Sequence, residues 1–218
     1  DLESKKIEPL TKKNIELRNV KFSPNSKYIS YIRQNNNLYI FDIEKKKEKR
    51  LTSSGGRDVL NGHFGWLYEE ELTGYDGYRW SPDSKTIAFW EEDQSKVDEY
   101  ILVDHLKKYP KVHTLKYPKV GEINPTLRIG LVRVSGSVRK WIDGAVVDND
   151  YMPWMKWIDE NNLSFLKLSR DQKTSHLYIA NRKTGKTKLI LTEQDHEGWI
   201  DNHGEIYFIN ENLICFLS

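Results

Sequence analysis

Three consecutive acids, Glu69, Glu70 and Glu71, lie beside two large aromatic residues in the stretch GWLYEEEL, residues 65–72. Successive side chains of a helix turn by about 100°, so two adjacent glutamates can converge on one small cation while the third points elsewhere. Two carboxylates around one small cation form charge-assisted hydrogen bonds. The stretch could therefore hold a cation, whereas composition alone favours a solvated acidic turn.

Other chemistries fit these residue types less well. A glycosidase also uses two carboxylates, but they lie on opposite sides of a sugar bond, roughly 5–9.5 Å apart, and neighbours on one helical turn approach from one side. The sequence contains no G-x-S-x-G motif, so we expect no nucleophile elbow here. His196 and His203 lack the i, i+4 spacing of a zinc helix, and the six histidines form no other metal pattern. We therefore expect no metal and no cofactor.

Composition restricts the partners. Lys and Arg number 34 against 32 acids, a net charge of +2, so nothing steers the whole molecule towards nucleic acid. The basic run KKKEKR from Lys45 follows an alternating strand and precedes a turn. We interpret it as the solvated surface of a hairpin and expect no nucleic-acid partner, because binding nucleic acid would need further patches of this kind.

A strand–turn–strand repeat must position these residues. Each copy has an aromatic residue near the end of its first strand, a Pro-, Asn- or Asp-rich turn, and then alternating apolar residues. The aromatic residues are Phe22, Trp80, Trp157 and Phe208. Their spacing is typical of β-propeller blades, so we expect an all-β fold of about four blades. Glutamate favours helix over strand, which predicts one short helical excursion at residues 65–72.

The two ends predict a partial propeller rather than a closed four-bladed ring. DLESKKIEPLT at the start reads as the end of a blade, and NLICFLS at the end reads as an apolar strand with nothing after it. Propellers close their rings so that no sheet edge stays open. Residues 1–218 are therefore expected to be part of one propeller domain.

Three motifs, in order, resemble the dipeptidyl peptidase IV family of prolyl-oligopeptidase-type serine peptidases. WLYEEEL resembles its double-glutamate helix, GYRWSPDSKTIAFW the strand pair that follows, and YPKVGEINPTLRIGLV its Tyr-Pro-Lys-x-Gly-x-x-Asn-Pro segment. The resemblance implies about four blades of the family's eight-bladed N-terminal propeller, with the α/β-hydrolase catalytic domain absent from residues 1–218. A non-enzymatic propeller that serves as a protein-interaction scaffold is the alternative.

The resemblance also assigns site residues. By position in the motif, Glu70 and Glu71 are the pair that binds the amino terminus of a peptide substrate, so that the serine of the hydrolase domain meets the bond after the second residue. The parent protein would then release X-Pro or X-Ala dipeptides, while this part alone would cleave nothing. His203 falls where the family places a loop near the second side chain of the substrate. It is therefore a candidate for contact with the substrate, and the alternative is that it lies in a plain surface loop.

The sequence differs from the family pattern at two positions, and it contains one long segment between predicted strands. Gly65 stands where the family more often has an Asp, whose carboxylate could anchor the helix start, and Asp98 stands where a Pro is more usual. Residues 94–119 are too long for a tight blade turn. In the family a comparable arm takes part in homodimer contacts, whereas the alternative is a hairpin folded on its own blade.

Family members also carry a C-terminal hydrolase domain in the same chain and are usually exported, to the periplasm, the cell surface or the medium.

Overall fold

The computed structural model of the chain describes residues 15–72, 74–136, 139–201, 206–210 and 213–216, together with residues 5, 7 and 9. Alternating apolar residues between turns make this part almost entirely antiparallel β-sheet. The first sheet follows the order of the chain. Its strands are β1 (Leu17–Phe22), β2 (Tyr28–Arg33), β3 (Leu38–Asp42) and β4 (Lys47–Arg50).

The second sheet contains the helical excursion. Its elements are β5 (Val59–Asn61), α1 (Trp66–Glu71), β6 (Tyr78–Trp80), β7 (Thr86–Asp93), β10 (Thr126–Arg133) and β11 (Arg139–Val147). The strand order is β11-β10-β7-β5, and β6 also pairs with β7. Because β5 pairs with residues 91–93 of β7 and β6 with residues 87–89, these two short strands share one edge position, and α1 lies between them in the chain.

The remaining strands form one further four-stranded sheet and two hairpins. The third sheet has the order β12 (Met155–Trp157), β13 (Asn162–Leu168), β14 (Thr174–Asn181) and β15 (Thr187–Gln194). The strands β16 (Ile206–Asn210) and β17 (Leu213–Phe216) pair with each other. Between β7 and β10 in the chain, β8 (Glu99–Asp104) and β9 (Lys111–Lys116) form a separate two-stranded sheet.

Two glycines form the base of the helical excursion. Gly62 donates its N–H to the Trp90 carbonyl at 2.8 Å, and Gly77 accepts a hydrogen bond from the Trp90 N–H at 3.0 Å. Gly62 has a φ of +75°, and a Cβ at Gly77 would lie 2.5 Å from the Gly62 carbonyl carbon and from the His63 nitrogen. The chain therefore leaves and rejoins the sheet at one point, where side chains at these positions would be strained or would clash.

Strand β7 separates two cores. Ile87 and Phe89 pack with residues of the first sheet, whereas Ala88 and Trp90 pack with residues of α1 and the third sheet. Successive side chains of a strand point to opposite faces, so one apolar run fills both interfaces. The three sheets consequently stack side by side, with α1 held in the second core.

The predicted all-β fold with one short helix is confirmed. Phe22, Trp80 and Trp157 end strands β1, β6 and β12, as the repeat predicts, while Phe208 lies inside β16. The expectation that residues 1–218 belong to an unclosed ring stays a prediction. Most of the opening stretch DLESKKIEPLT lies outside the described residues.

Candidate functional site

Helix α1 is fixed to the protein through its apolar side. Leu67 and Tyr68 are buried in the core shared with the third sheet. The Tyr68 ring stacks on Phe64 with 4.9 Å between the ring centroids, and the Tyr68 hydroxyl accepts a hydrogen bond from the Met152 N–H at 3.0 Å. Burial raises the pKa of Tyr68 far above its ordinary value, so the hydroxyl stays neutral. The helix cannot turn without breaking these buried contacts.

The start of the helix is held by a carboxylate from strand β7. The Gly65 N–H lies 3.2 Å from each carboxylate oxygen of Glu92, and the Gln94 side-chain amide donates to Glu92. A Cβ at Gly65 would lie 2.8 Å from Glu92 Oε1 and would overlap Gln94 Nε2. Glu92 therefore supplies an acid at the helix start, where Gly65 replaces the family's usual Asp, and it occupies the space that a side chain at 65 would need.

Glu92 is fully buried in an environment that disfavours its charge. Desolvation raises the pKa of Glu92 from 4.5 to about 7, against the opposing effect of the hydrogen bonds from Gln94 and Gly65. A group with a pKa near 7 changes charge close to physiological pH. Glu92, which holds the start of the acidic helix, therefore changes its charge close to pH 7.

The three glutamates lie on the solvent side of the helix. Glu69, Glu70 and Glu71 are all exposed. Within the described part of the chain, none of their carboxylates has a hydrogen-bond or ion-pair partner. Glu71 lines a cavity of about 870 Å³, and Glu69 lines a different one of about 520 Å³. This divergence agrees with the expected turn of about 100° per residue.

The cavity beside Glu71 has aromatic walls and two cationic side chains. Its aromatic lining comes from Trp66, Tyr100, Tyr117 and Tyr151, and its cations are Lys119 and Arg170. The rings of Trp66 and Tyr117 approach to 4.1 Å between centroids. The pocket thus combines apolar surface, one acid and two bases, which suits a ligand with charged and apolar parts.

The β8–β9 hairpin presents apolar side chains to solvent. Ile101, Val103 and Val112 are 60%, 44% and 63% exposed, and Val103 lies directly opposite Val112. Because Ile101 and Val103 are two residues apart, all three share one face of the hairpin. At the base of the hairpin, Arg57 forms an ion pair with Glu99. The hairpin is therefore anchored to the body at its base and exposed along its length.

Other predicted features are placed as follows. His203 lies outside the described residues. In the described ranges no group of three or more His, Cys, Asp or Glu side chains could hold a metal ion. No helix in the described part of the chain is long and apolar enough to cross a membrane.

The sequence-based prediction of the site did not include several residues around the helix. They are Glu92, Gln94, Lys119, Tyr151 and Arg170. Only Glu92 is marked in the sequence, since three acids, Glu91, Glu92 and Asp93, follow the apolar run TIAFW within one strand. An acid in a buried strand needs a special partner, and this anomaly pointed to a role.

The chain matches a family model and several named relatives. The model of the family described as "Dipeptidyl peptidase IV (DPP IV) N-terminal region" matches residues 1–218. A probable dipeptidyl peptidase 4 of Arthroderma benhamiae is 28% identical over 97% of this chain and 28% of its own length. Dipeptidyl aminopeptidase B of Saccharomyces cerevisiae is 28% identical over 88% of this chain and 24% of its own length.

One solved structure extends the match to three dimensions. The crystal structure of Porphyromonas gingivalis dipeptidyl peptidase 4 superposes with a TM-score of 0.82 at 29% identity, covering 88% of this chain and 28% of that one. The predicted β-propeller fold is thereby confirmed, while the unclosed ring stays a prediction. The chain spans less than a third of the length of each of these relatives.

Proposed function

The chain belongs to the dipeptidyl peptidase IV family, and from that premise we propose that it is the substrate-recognition region of a serine exopeptidase that releases amino-terminal dipeptides. In this proposal Glu70 and Glu71 bind the free α-ammonium of the peptide. The observation that carries it is that both carboxylates are exposed and lack partners among the described residues. They lie on a helix locked into the core by Tyr68.

The energetics favour a cation at this position. Neighbouring unpaired carboxylates repel each other, and a shared cation removes the repulsion. Each charge-assisted hydrogen bond to an ammonium contributes roughly 1.5–3 kcal/mol. Because the helix is held in place before the peptide arrives, little of this energy is lost in ordering the site. The aromatic cavity beside Glu71 offers space for the first residues of the peptide.

The chemical step belongs to another part of the parent protein in this proposal. A C-terminal α/β-hydrolase domain of the same chain supplies the nucleophilic serine, because residues 1–218 contain no G-x-S-x-G motif. Anchoring the amino terminus fixes how far the peptide reaches, so the bond after the second residue is cut and X-Pro or X-Ala dipeptides leave. Export from the cytoplasm, as the family resemblance suggests, is part of the same proposal.

The parent protein also forms a homodimer in this proposal, through the arm at residues 94–119. The support is the exposed apolar face of the β8–β9 hairpin, made by Ile101, Val103 and Val112. No described residue covers these apolar side chains, and an exposed apolar surface of this kind suits contact with a second copy of the protein.

The clamp can be tested in the full-length protein with Glu70→Gln and Glu71→Gln. Each change should lower kcat/KM for a free dipeptidyl substrate by several-fold to thousands-fold, corresponding to roughly 1–5 kcal/mol. Glu69→Gln is the matched control, because Glu69 is equally exposed but lines a different cavity. It should leave kcat/KM within about twofold of the wild type.

The substrate gives an independent test of the same contact. Acetylating its amino terminus removes the charge that the glutamates bind, so the wild type should lose a similar factor, and the glutamine variants should lose little more. A peptide amine titrates near pH ~8, so binding should also weaken above that pH. Cleavage of acetylated and free peptides at similar rates by the wild type would overturn the assignment.

A further inference from the structure

A cleft of about 960 Å³ lies at the opposite end of the sheets from helix α1. Thr86, the first residue of β7, lines this cleft, whereas Glu92 near the other end of β7 contacts the helix start. Glu92 is six positions further along the strand, about 20 Å away at 3.3 Å per residue. The cleft is therefore separate from the acidic helix and its cavity.

The lysines of β4 face into this cleft because of strand alternation. Lys47 and Lys49 are two residues apart and share one face of the first sheet. The intervening Glu48 is held from β2, by the Tyr31 hydroxyl at 2.5 Å and by the Arg33 guanidinium at 2.7 Å. Glu48 also lines the cleft, but these two contacts already pair the one acid of the KKKEKR run, so the lysines dominate the charge of this strand.

Two of the lysines also join neighbouring sheets. Lys49 of the first sheet donates to the Ser135 carbonyl of the second, and Lys140 of the second sheet donates to the Lys183 carbonyl of the third. These bonds hold positive charges at the seams between the sheets. Three sheets consequently contribute to one basic surface.

The charge of the cleft differs from that of the whole chain. Among the described residues its lining has nine basic and three acidic side chains, a net charge of +6. The whole chain carries +2, so the rest carries −4. Besides Glu48, the two other acids are already paired, Asp42 with Lys45 at 3.6 Å and Asp83 with Arg182 at 2.9 Å. A concave surface of one sign concentrates its field on an anionic ligand.

We propose that this cleft binds a linear sulfated polysaccharide. Seven of the nine basic side chains are lysines, which act as point charges suited to sulfate groups rather than as forks that read a base edge. The one aromatic ring in the lining, Tyr28, is already stacked on Trp80 at 6.4 Å between centroids. Single-stranded nucleic acid needs free aromatic rings for its bases, so the described lining favours the glycan.

The test measures binding of a heparin-derived hexasaccharide to the full-length protein by calorimetry at several salt concentrations. The triple variant Lys47→Glu, Lys85→Glu and Lys183→Glu should weaken binding by at least about tenfold and flatten its dependence on salt, because fewer counterions are released. Lys156→Glu, Lys173→Glu and Lys188→Glu change the charge equally at exposed positions in and beside the third sheet that do not line the cleft. This control should bind within about twofold of the wild type.

A second variant and two further probes make the result decisive. The Lys→Gln version of the cleft triple removes charge without adding acid, and it should show an intermediate loss if it melts at the wild-type temperature. An oligothymidylate and a polyglutamate of matched charge should bind more weakly than the hexasaccharide. Equal losses in both triples, no binding of the hexasaccharide at low salt, or tighter binding of either probe would overturn the proposal.

Discussion

A buried carboxylate supports the helix that carries the exposed ones. Glu92 reaches the Gly65 N–H from a strand that is 27 residues further along the chain. Its charged form is the better hydrogen-bond acceptor, yet burial favours the protonated form and raises its pKa to about 7. The folded protein therefore holds a proton on Glu92 at pH values where an unfolded chain would have released it.

This linkage predicts that the contribution of Glu92 to stability falls as pH rises. Between the ordinary pKa of 4.5 and the folded value of about 7, the native state binds more protons than the unfolded state, so the free energy of unfolding decreases with pH. The stabilisation is fully present below 4.5, and about 3 kcal/mol of it is lost by pH 8. Desolvation lowers the pKa of buried His63 from 6.5 to about 4, which gives the opposite slope below pH 6.5, so the test compares the variant with the wild type at each pH. Glu92→Gln should gain stability relative to the wild type as pH rises and be the more stable protein at pH 8, as urea unfolding at pH 5, 6.5 and 8 would measure.

The control for this prediction is Glu122→Gln, which removes one acid at an exposed position. It should keep the wild-type dependence of stability on pH, since solvated acids contribute little to it. A Glu92→Gln variant whose slope matched that of Glu122→Gln would contradict the assigned role of Glu92.

Sequence reasoning proposed some residues of the candidate site and not others for a physical reason. Glu70 and Glu71 belong to one continuous motif, so their helix and its exposure follow from local preference. Glu92 acts through a contact between distant segments, and the pairing that brings β7 beside Gly65 depends on the whole sheet. Its partner could not be assigned from local pattern, although three acids at the end of an apolar strand marked the place.

At the scale of elements, the excursion depends on the two glycines at its base. Strands, the helix and the β8–β9 hairpin follow from alternation, turn residues and length. That β5 and β6 share one edge position does not follow from the sequence, because a strand of three residues is too short to show a periodic pattern. What reveals it is the pairing of Gly62 and Gly77 with Trp90.

This geometry predicts the effect of Gly77→Ala. The added methyl group would meet the backbone at Gly62 and His63 at 2.5 Å, and a clash with backbone cannot be relieved by a side-chain rotation. We expect a loss of about 1–3 kcal/mol in the free energy of unfolding, together with a weaker hold on the amino terminus that raises KM. Thermal unfolding and peptide kinetics would measure the two effects.

Gly56→Ala is the matched control. A Cβ at Gly56 would have nothing within 4 Å, so stability and KM should stay close to the wild type or improve slightly. Equal behaviour of the two variants would show that the base of the excursion tolerates a side chain, contrary to the packing described for Gly62 and Gly77.

At the scale of the molecule, a net charge of +2 conceals two ends of opposite character. One end presents the unpaired acids of α1, and the other presents the basic cleft. The sequence could place the KKKEKR run on a hairpin surface, but the other basic residues of the cleft extend as far as Lys183 and meet only when three sheets stack. Composition and local pattern therefore predict the individual basic segments, whereas the stacking of the three sheets determines where their charges come together.

The exposed face of the β8–β9 hairpin leads to a prediction about assembly of the full-length protein. Deleting residues 94–119 would also remove Gln94, which contacts Glu92, so point changes on the exposed face separate assembly from the site. Ile101→Lys with Val112→Lys places two charges among apolar groups, and burying unpaired charges at an interface is unfavourable. We expect sedimentation to shift from dimer to monomer. Leu189→Lys, at a position 47% exposed on β15, should leave the dimer intact. A double variant that sediments with the wild type would refute the hairpin contact and leave the peptide clamp untouched.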